Sequence, residues 1–167
     1  HFPSMVGGEK QSEWKRCRVA ELVRSKVDSL FQQDVAAKIL IMGDLNGKSN
    51  TLAQRKLLKS SGVRGGDKGN VLINIGHYLL NKRHMGSYRY QGNWQTIDHI
   101  IVSSAFLNAK SGGKIDKQMY IGTASSLLVE DRNYFGYKPW PTYRGMRYLG
   151  GVSDHLPVYT MMYINGK

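Results

Sequence analysis

The sequence predicts an α+β domain, and three of its segments carry that prediction. From Ser12 to about Gln33 the apolar residues Val19, Leu22, Val23, Val27, Leu30 and Phe31 recur at helical spacing, with charges on the other face. Ala37 to Met42 (Ala-Lys-Ile-Leu-Ile-Met) is an apolar run too short for a helix and ends at Gly43, so it reads as a buried strand. Tyr88-Arg89-Tyr90 and Thr96 to Val102 flank the turn Gln91-Gly92-Asn93, the pattern of a β-hairpin.

The other elements follow in chain order. Residues 1–9 open extended as His1-Phe2-Pro3-Ser4 and turn at Gly7-Gly8. A second helix is expected from about Asn50 to Lys59, stopped by Ser60-Ser61-Gly62. Residues 62–86 are glycine-rich and basic, with Val71 to Ile75 as a strand. Residues 108–150 read as a long basic loop carrying Tyr120, Tyr134, Tyr137, Tyr143, Tyr148 and Trp140, and a loop of that length in a compact domain is more often functional than filler. A last strand is expected from Leu156 to about Ile164.

Composition narrows the class of protein. With 167 residues, 41% of them hydrophobic, the chain forms one domain or part of one, long enough for a real core. Its 10% aromatic content argues against a disordered segment. No apolar run reaches membrane-helix length and no charged-then-apolar leader opens the stretch; the compartment stays open. The net charge of +12 favours a polyanionic partner such as nucleic acid, phosphoinositides or an anionic membrane surface, although basic proteins without one are common. Cys17 is the only cysteine, which excludes an internal disulfide and a cysteine-rich metal site; between Arg16 and Arg18 it reads as a structural or exposed thiol.

Three segments carry chemistry. Ile41-Met42-Gly43-Asp44-Leu45-Asn46 and Trp94-Gln95-Thr96-Ile97-Asp98-His99-Ile100-Ile101 each set an aspartate where a strand meets a loop. Gly150-Gly151-Val152-Ser153-Asp154-His155-Leu156-Pro157 sets a carboxylate and an imidazole at the mouth of an apolar run. Three aspartates and a histidine brought together in that way would serve metal-assisted attack of water on a phosphate ester.

These motifs resemble the signatures of the endonuclease/exonuclease/phosphatase superfamily, the deoxyribonuclease-like metal-dependent phosphoesterases. The residues that carry the resemblance are Gly43-Asp44-Leu45-Asn46, Ile97-Asp98-His99-Ile100 and Ser153-Asp154-His155-Leu156-Pro157-Val158. The opening His1-Phe2-Pro3-Ser4 is similar to a fourth motif, an Asn-His pair at a strand end. All four stand in the family's order. The fold this implies is a four-layered α/β/β/α sandwich with a mixed, largely antiparallel sheet. Residues 1–167 would be a single partial domain, its later half, with the N-terminal sheet missing. The family's early-strand Asn and Glu at the metal have no counterpart: Glu9, Glu13 and Glu21 lie in the first helix or its approach, and Glu130 in the basic loop. A sheet face left bare by that absence would be covered by self-association or by a companion segment.

The resemblance and the chemistry assign roles to particular residues. Asp44 would orient and deprotonate the attacking water, and Asn46 would hydrogen-bond a phosphate oxygen or the nucleophile. His155 would stabilise charge growing on the phosphoryl oxygens, with Asp98 holding its ring from behind. Asp154 would bind metal, Mg²⁺ or Mn²⁺, since hard cations take oxygen ligands. His1 would donate to the phosphate, or else lie frayed and inert. His99, whose side chain faces away from that of Asp98, is expected to be structural, and His77 and His84 solvated. Residues 132–148, Arg144, Arg147 and Trp140 among them, have the make-up of a surface that contacts phosphate or nucleic acid; the alternative is a loop packing its aromatics on the domain. Two readings of function result: a phosphodiester or phosphomonoester hydrolase, acting on nucleic acid, a phosphorylated small molecule or a lipid headgroup, or a non-catalytic polyanion-binding fragment.

Overall fold

The computed structural model describes residues 1–61, 71–82, 84–109 and 113–164, and its architecture is α+β. Helix α1 spans Glu9–Gln33 and is followed by strand β1, Leu40–Asp44. Short strands β2 (Ser60–Ser61) and β3 (Leu72–Asn74) come next, then β4 (Tyr88–Tyr90), β5 (Asn93–Gln95) and β6 (Asp98–Ser103). A single helical turn α2 (Ser104–Leu107) leads to β7 (Lys114–Ile115) and β8 (Tyr120–Ile121). Two hairpins follow: β9 (Leu128–Glu130) with β10 (Tyr137–Pro139), and β11 (Tyr143–Arg144) with β12 (Arg147–Tyr148). Strands β13 (Val158–Tyr159) and β14 (Met162–Tyr163) end the described chain.

The central sheet has the order β1-β6-β3-β2, antiparallel except between β2 and β3. Strand β6 is apolar on both faces because both are covered. Ile101 points into a core with Ala20, Val27 and Phe31 of α1, Leu45 and Leu58. Its neighbours Ile100 and Val102 point the other way, into a second core with Ile75, Phe106, Ile115 and Met119. Alternation along one strand thus joins two cores through the sheet. Ile101 has no exposed surface. Ile101→Ala is expected to cost about 3 kcal/mol, lost transfer energy plus a cavity at the centre of the sheet, measured by denaturant unfolding. Edge strand β1 turns Leu40 and Met42 to solvent.

Several elements depart from the sequence reading. The strand expected at 37–42 is displaced to Leu40–Asp44 because side-chain bonds replace the ladder before it: Ser103 Oγ accepts from Ile39 N (3.0 Å) and donates to Ala37 O (2.8 Å). The expected helix at 50–59 shrinks to one wide turn, Ala53–Leu57. Tyr88–Tyr90 pairs with Asn93–Gln95 rather than with 96–102, since Gln91 (φ 47°) and Gly92 (φ 79°) make a two-residue turn that brings the chain straight back. Residues 98–103 are thereby released to become the central strand. The expected loop at 108–150 contains six short strands, and its glycines Gly136 (φ 99°) and Gly145 (φ 60°) supply left-handed backbone at the hairpin turns. The last strand breaks at Thr160-Met161, so that β13 pairs with β8 and β14 with β7. Of the glycine-rich segment 62–86, residues 62–70 and 83 lie outside the described residues.

Candidate active site

The register of one strand pair builds the site. In the antiparallel ladder of β1 and β6, Asp44 stands opposite Asp98 and Gly43 opposite His99. Directly opposed residues share a sheet face with Cβ atoms about 5 Å apart, so both carboxylates project from the same end of the sheet. The third strand end arrives from the far end of the chain. His155 bridges Tyr88 of β4, Leu156 N donates to Ser87 O (2.7 Å), and the two contacts fix the imidazole over Asp98.

Asp98 and His155 form a short polar contact, Oδ2 to Nδ1 at 2.7 Å. Ser87, fully buried, donates its Oγ–H to the same carboxylate oxygen, so Asp98 is itself held from behind. Burial pushes the His155 pKa down, but the hydrogen bond and charge of Asp98, with Asp44 and Asp154, more than reverse this and leave it above the ordinary histidine value. With Nδ1 occupied, Nε2 is the ring nitrogen left for a ligand.

Asp44 is bound through both oxygens. Oδ1 accepts from Asn46 N (2.7 Å) in an Asx turn; Oδ2 accepts from Asn46 Nδ2 (3.1 Å) and pairs with His1 Nε2 (3.2 Å). Burial raises its pKa above the ordinary carboxylate value; the Asn46 amide opposes the rise and the charge of Asp98 adds to it. Asn46 itself is buried, with φ 46°, and its side-chain nitrogen also donates to Phe2 O (3.0 Å). Both hydrogens of that amide are thus engaged, which makes Asn46 an anchor between the first residues and Asp44 and leaves only its side-chain oxygen for another partner.

A cavity of about 690 Å³ is lined by His1, Asp44, Asn46, Tyr88, Asp154 and His155, together with residues 4–9. Ligand atoms of Asp44, Asp98 and His155 lie within 4.8 Å of one another, a set able to hold a cation. Asp154 reaches the same cavity but stands outside that set. It is exposed and adjoins His155 at a bend where Ser153 Oγ accepts from His155 N (3.0 Å). His1, largely exposed, meets Asp44 rather than lying free.

The weaker candidates lie one step away. Arg144, Arg147 and Trp140 line a neighbouring cavity of about 730 Å³, which shares Tyr88, Tyr90 and Asp154 with the first. Trp140 donates its Nε1–H to Leu149 O (2.9 Å), so its ring is held by its own segment. Tyr134, Tyr137, Tyr143 and Tyr148 are exposed rather than packed on the domain. His99 is buried and pushed down to about 4 by that burial, the hydrogen bond to Gly47 opposing only in part. His84 is exposed, but His77 bonds through Nδ1 to Ser49 Oγ (2.9 Å) and is not simply solvated. Glu13 is also engaged: it pairs with the buried Arg16 (3.0 Å).

Two residues of the site escape a reading of the sequence. Ser87 and Tyr88 open the β4 hairpin, and the only signal was a serine before an aromatic strand. Their role depends on the approach of residue 155. The Tyr88 ring lies 4.9 Å from that of His155, and burial with nearby Asp154, Tyr90 and Asp44 raises its pKa.

Comparison with known proteins agrees with this geometry at the level of family. A family model described as the endonuclease/exonuclease/phosphatase family matches residues 1–164. No curated protein and no solved structure matches. Asp44 and Asp98 in register, His155 on Asp98, and a family match over nearly the whole chain lead to one conclusion: the chain belongs to the endonuclease/exonuclease/phosphatase family.

Proposed function

We propose that this protein is a divalent-metal-dependent phosphoesterase that hydrolyses a phosphodiester or phosphomonoester by direct attack of water. The observation that supports this most is the Asp98–His155 contact at 2.7 Å with the carboxylate of Asp44 facing it. A module that only binds polyanions has no need of a half-buried carboxylate orienting an imidazole beside a second carboxylate.

The donor set fits a hard cation in kind. Asp44 is raised by burial and by its like-charged neighbour Asp98, a crowding that a cation relieves. Asp44 and Asp98, with Asp154 at the cavity wall, are the residues that would hold Mg²⁺ or Mn²⁺. Such an ion, when bound, supplies positive charge to the phosphate oxygens.

The chain's own residues do the rest. Water attacks phosphorus while Asp44, whose carboxylate faces the cavity, takes its proton. Asn46 keeps the Asp44 carboxylate aligned through its two donors. His155, whose charged form Asp98 favours, donates a hydrogen bond from Nε2 to a phosphoryl oxygen as the ester P–O bond breaks and the leaving oxygen takes a proton from solvent. His1 adds a donor at the same mouth. Arg144, Arg147 and Trp140 contact more distant parts of the substrate.

Hydrolysis of bis-(p-nitrophenyl) phosphate with Mg²⁺ or Mn²⁺ tests the reading. The expected result is metal-dependent turnover that falls about 100-fold or more in Asp44→Asn. A folded chain that binds polyanions but is silent with both metals would sink the proposal in favour of a binding module.

A further inference from the structure

We propose that the turns of the β9–β10 and β11–β12 hairpins form a docking surface for an anionic lipid bilayer. Phe135 and Met146, one on each turn, are 101% and 100% exposed, the most exposed large apolar side chains among the described residues. Nothing in the turns requires them. The left-handed backbone at each turn is supplied by glycine, Gly136 and Gly145, and water-facing turns favour Asn, Asp, Ser or Gly at the remaining positions. An apolar side chain held at such a point gains nothing until it leaves water.

The two turns act on one side of the molecule. Arg132 and Tyr134 of the first and Tyr143 and Arg147 of the second line one cavity, so the turns flank it together. The first turn is pinned to the hairpin next to the active site: Arg89 donates to Phe135 O (2.6 Å), Tyr137 O (2.7 Å) and Gly92 O (3.1 Å), and its guanidinium lies 3.7 Å from the buried Asp131. Phe135 is therefore presented on a braced turn.

The surroundings fit the interfacial layer of a membrane. Tyr134, Tyr143 and Tyr148 expose rings that combine an apolar body with a polar tip, the composition favoured at headgroup depth. Arg132, Arg144 and Arg147 make no side-chain hydrogen bond or ion pair with another described residue, whereas Lys138 in the same cavity pairs with Asp131, the carboxylate it shares with Arg89. Free arginines on a chain of net charge +12 match an anionic leaflet. A polynucleotide would use the tyrosine faces and the arginines, but it would leave Phe135 and Met146 without a partner. Since the cavity shares Tyr88, Tyr90 and Asp154 with the active site, a bilayer seated on the turns lies at its mouth.

The test is co-sedimentation of the full chain with phosphatidylcholine vesicles, with and without 30% phosphatidylglycerol (a composition chosen to supply about one anionic headgroup in three). Binding to the anionic vesicles is expected, and Phe135→Ser with Met146→Ser should weaken it by about tenfold or more. Both side chains are fully exposed, so the double variant should keep the wild-type melting curve and the wild-type rate on bis-(p-nitrophenyl) phosphate. Equal partitioning of wild type and double variant, or no preference for the anionic vesicles, would overturn the proposal. So would tight binding of a single-stranded oligonucleotide that is lost in the double variant, which would assign the turns to nucleic acid.

Discussion

Asp98→Asn is expected to lower turnover of a phosphodiester by about 1,000-fold or more while leaving the fold intact. The size follows from what the carboxylate does for His155. It accepts from Nδ1, fixing the tautomer and leaving Nε2 as the donor, and its charge favours the imidazolium. An amide keeps the shape but loses the charge, and neutralising the orienting aspartate of a histidine is among the costliest conservative changes in hydrolases. The pH profile distinguishes this from a merely structural loss. Burial alone depresses the His155 pKa, and Asp98 is first among the groups that reverse it, so the alkaline limb of activity should move to lower pH in the variant. The stability linkage has the same sign. The folded-state pKa of His155 is raised, so the stabilisation is complete below about pH 6.5, the ordinary histidine value, and is lost as pH rises through the folded value. In Asp98→Asn that pH-dependent part should largely vanish. An unchanged alkaline limb would mean that some group other than His155 stabilises the phosphoryl oxygen. A companion Ser87→Ala should show a smaller loss in the same direction, since Ser87 only steadies Asp98.

What could be read from the residues alone was local. The period of Val19, Val23, Val27 and Leu30 requires a helix wherever it sits, and α1 is there. Aspartates at strand ends beside glycine or before an apolar run are also local signals, and Asp44, Asp98 and His155 do converge. What could not be read depends on residues distant in sequence. Strand β4 takes β5 as its partner because of two positive φ values at Gln91 and Gly92, and no hydrophobic pattern records that choice. The short strands between 114 and 148 have two or three residues each, too few to show alternation, and the β9–β10 hairpin is held to β4 by Arg89, through bonds to residues 46 and 48 positions later. Asp154 and His155 look equivalent in the motif. The bridge from residue 155 to Tyr88 separates them, directing one side chain to Asp98 and leaving its neighbour exposed.

Asn74→Ala should be the most destabilising small change near the site, at about 3–5 kcal/mol. Asn74 is buried at the end of β3 and satisfies three groups shut off from water. Its Oδ1 accepts from Gly76 N (3.0 Å), and its Nδ2 donates to Gln54 Oε1 and to His99 Nδ1, each at 3.1 Å. The donation to His99 is consistent with a neutral ring, since burial pushes its pKa down to about 4. Nδ1 then accepts, and Nε2 carries the proton to Gly47 O (2.8 Å), which also receives Gln54 Nε2 (2.5 Å). Removing one amide strands the Gly76 N–H and the His99 ring nitrogen together, each costing about 1–3 kcal/mol when left unpaired, and takes a hydrogen bond from Gln54. Gly47 follows directly on Asn46, the residue that aligns Asp44, so the same network that stabilises the fold also sets the geometry of the proposed base. Denaturant unfolding reads the first effect. Turnover of bis-(p-nitrophenyl) phosphate, measured where the variant is still folded, reads the second and should fall with it. A stability loss under about 1 kcal/mol would mean that water enters to satisfy the groups Asn74 leaves, and the loop after Asp44 would then owe its position to its backbone rather than to this network.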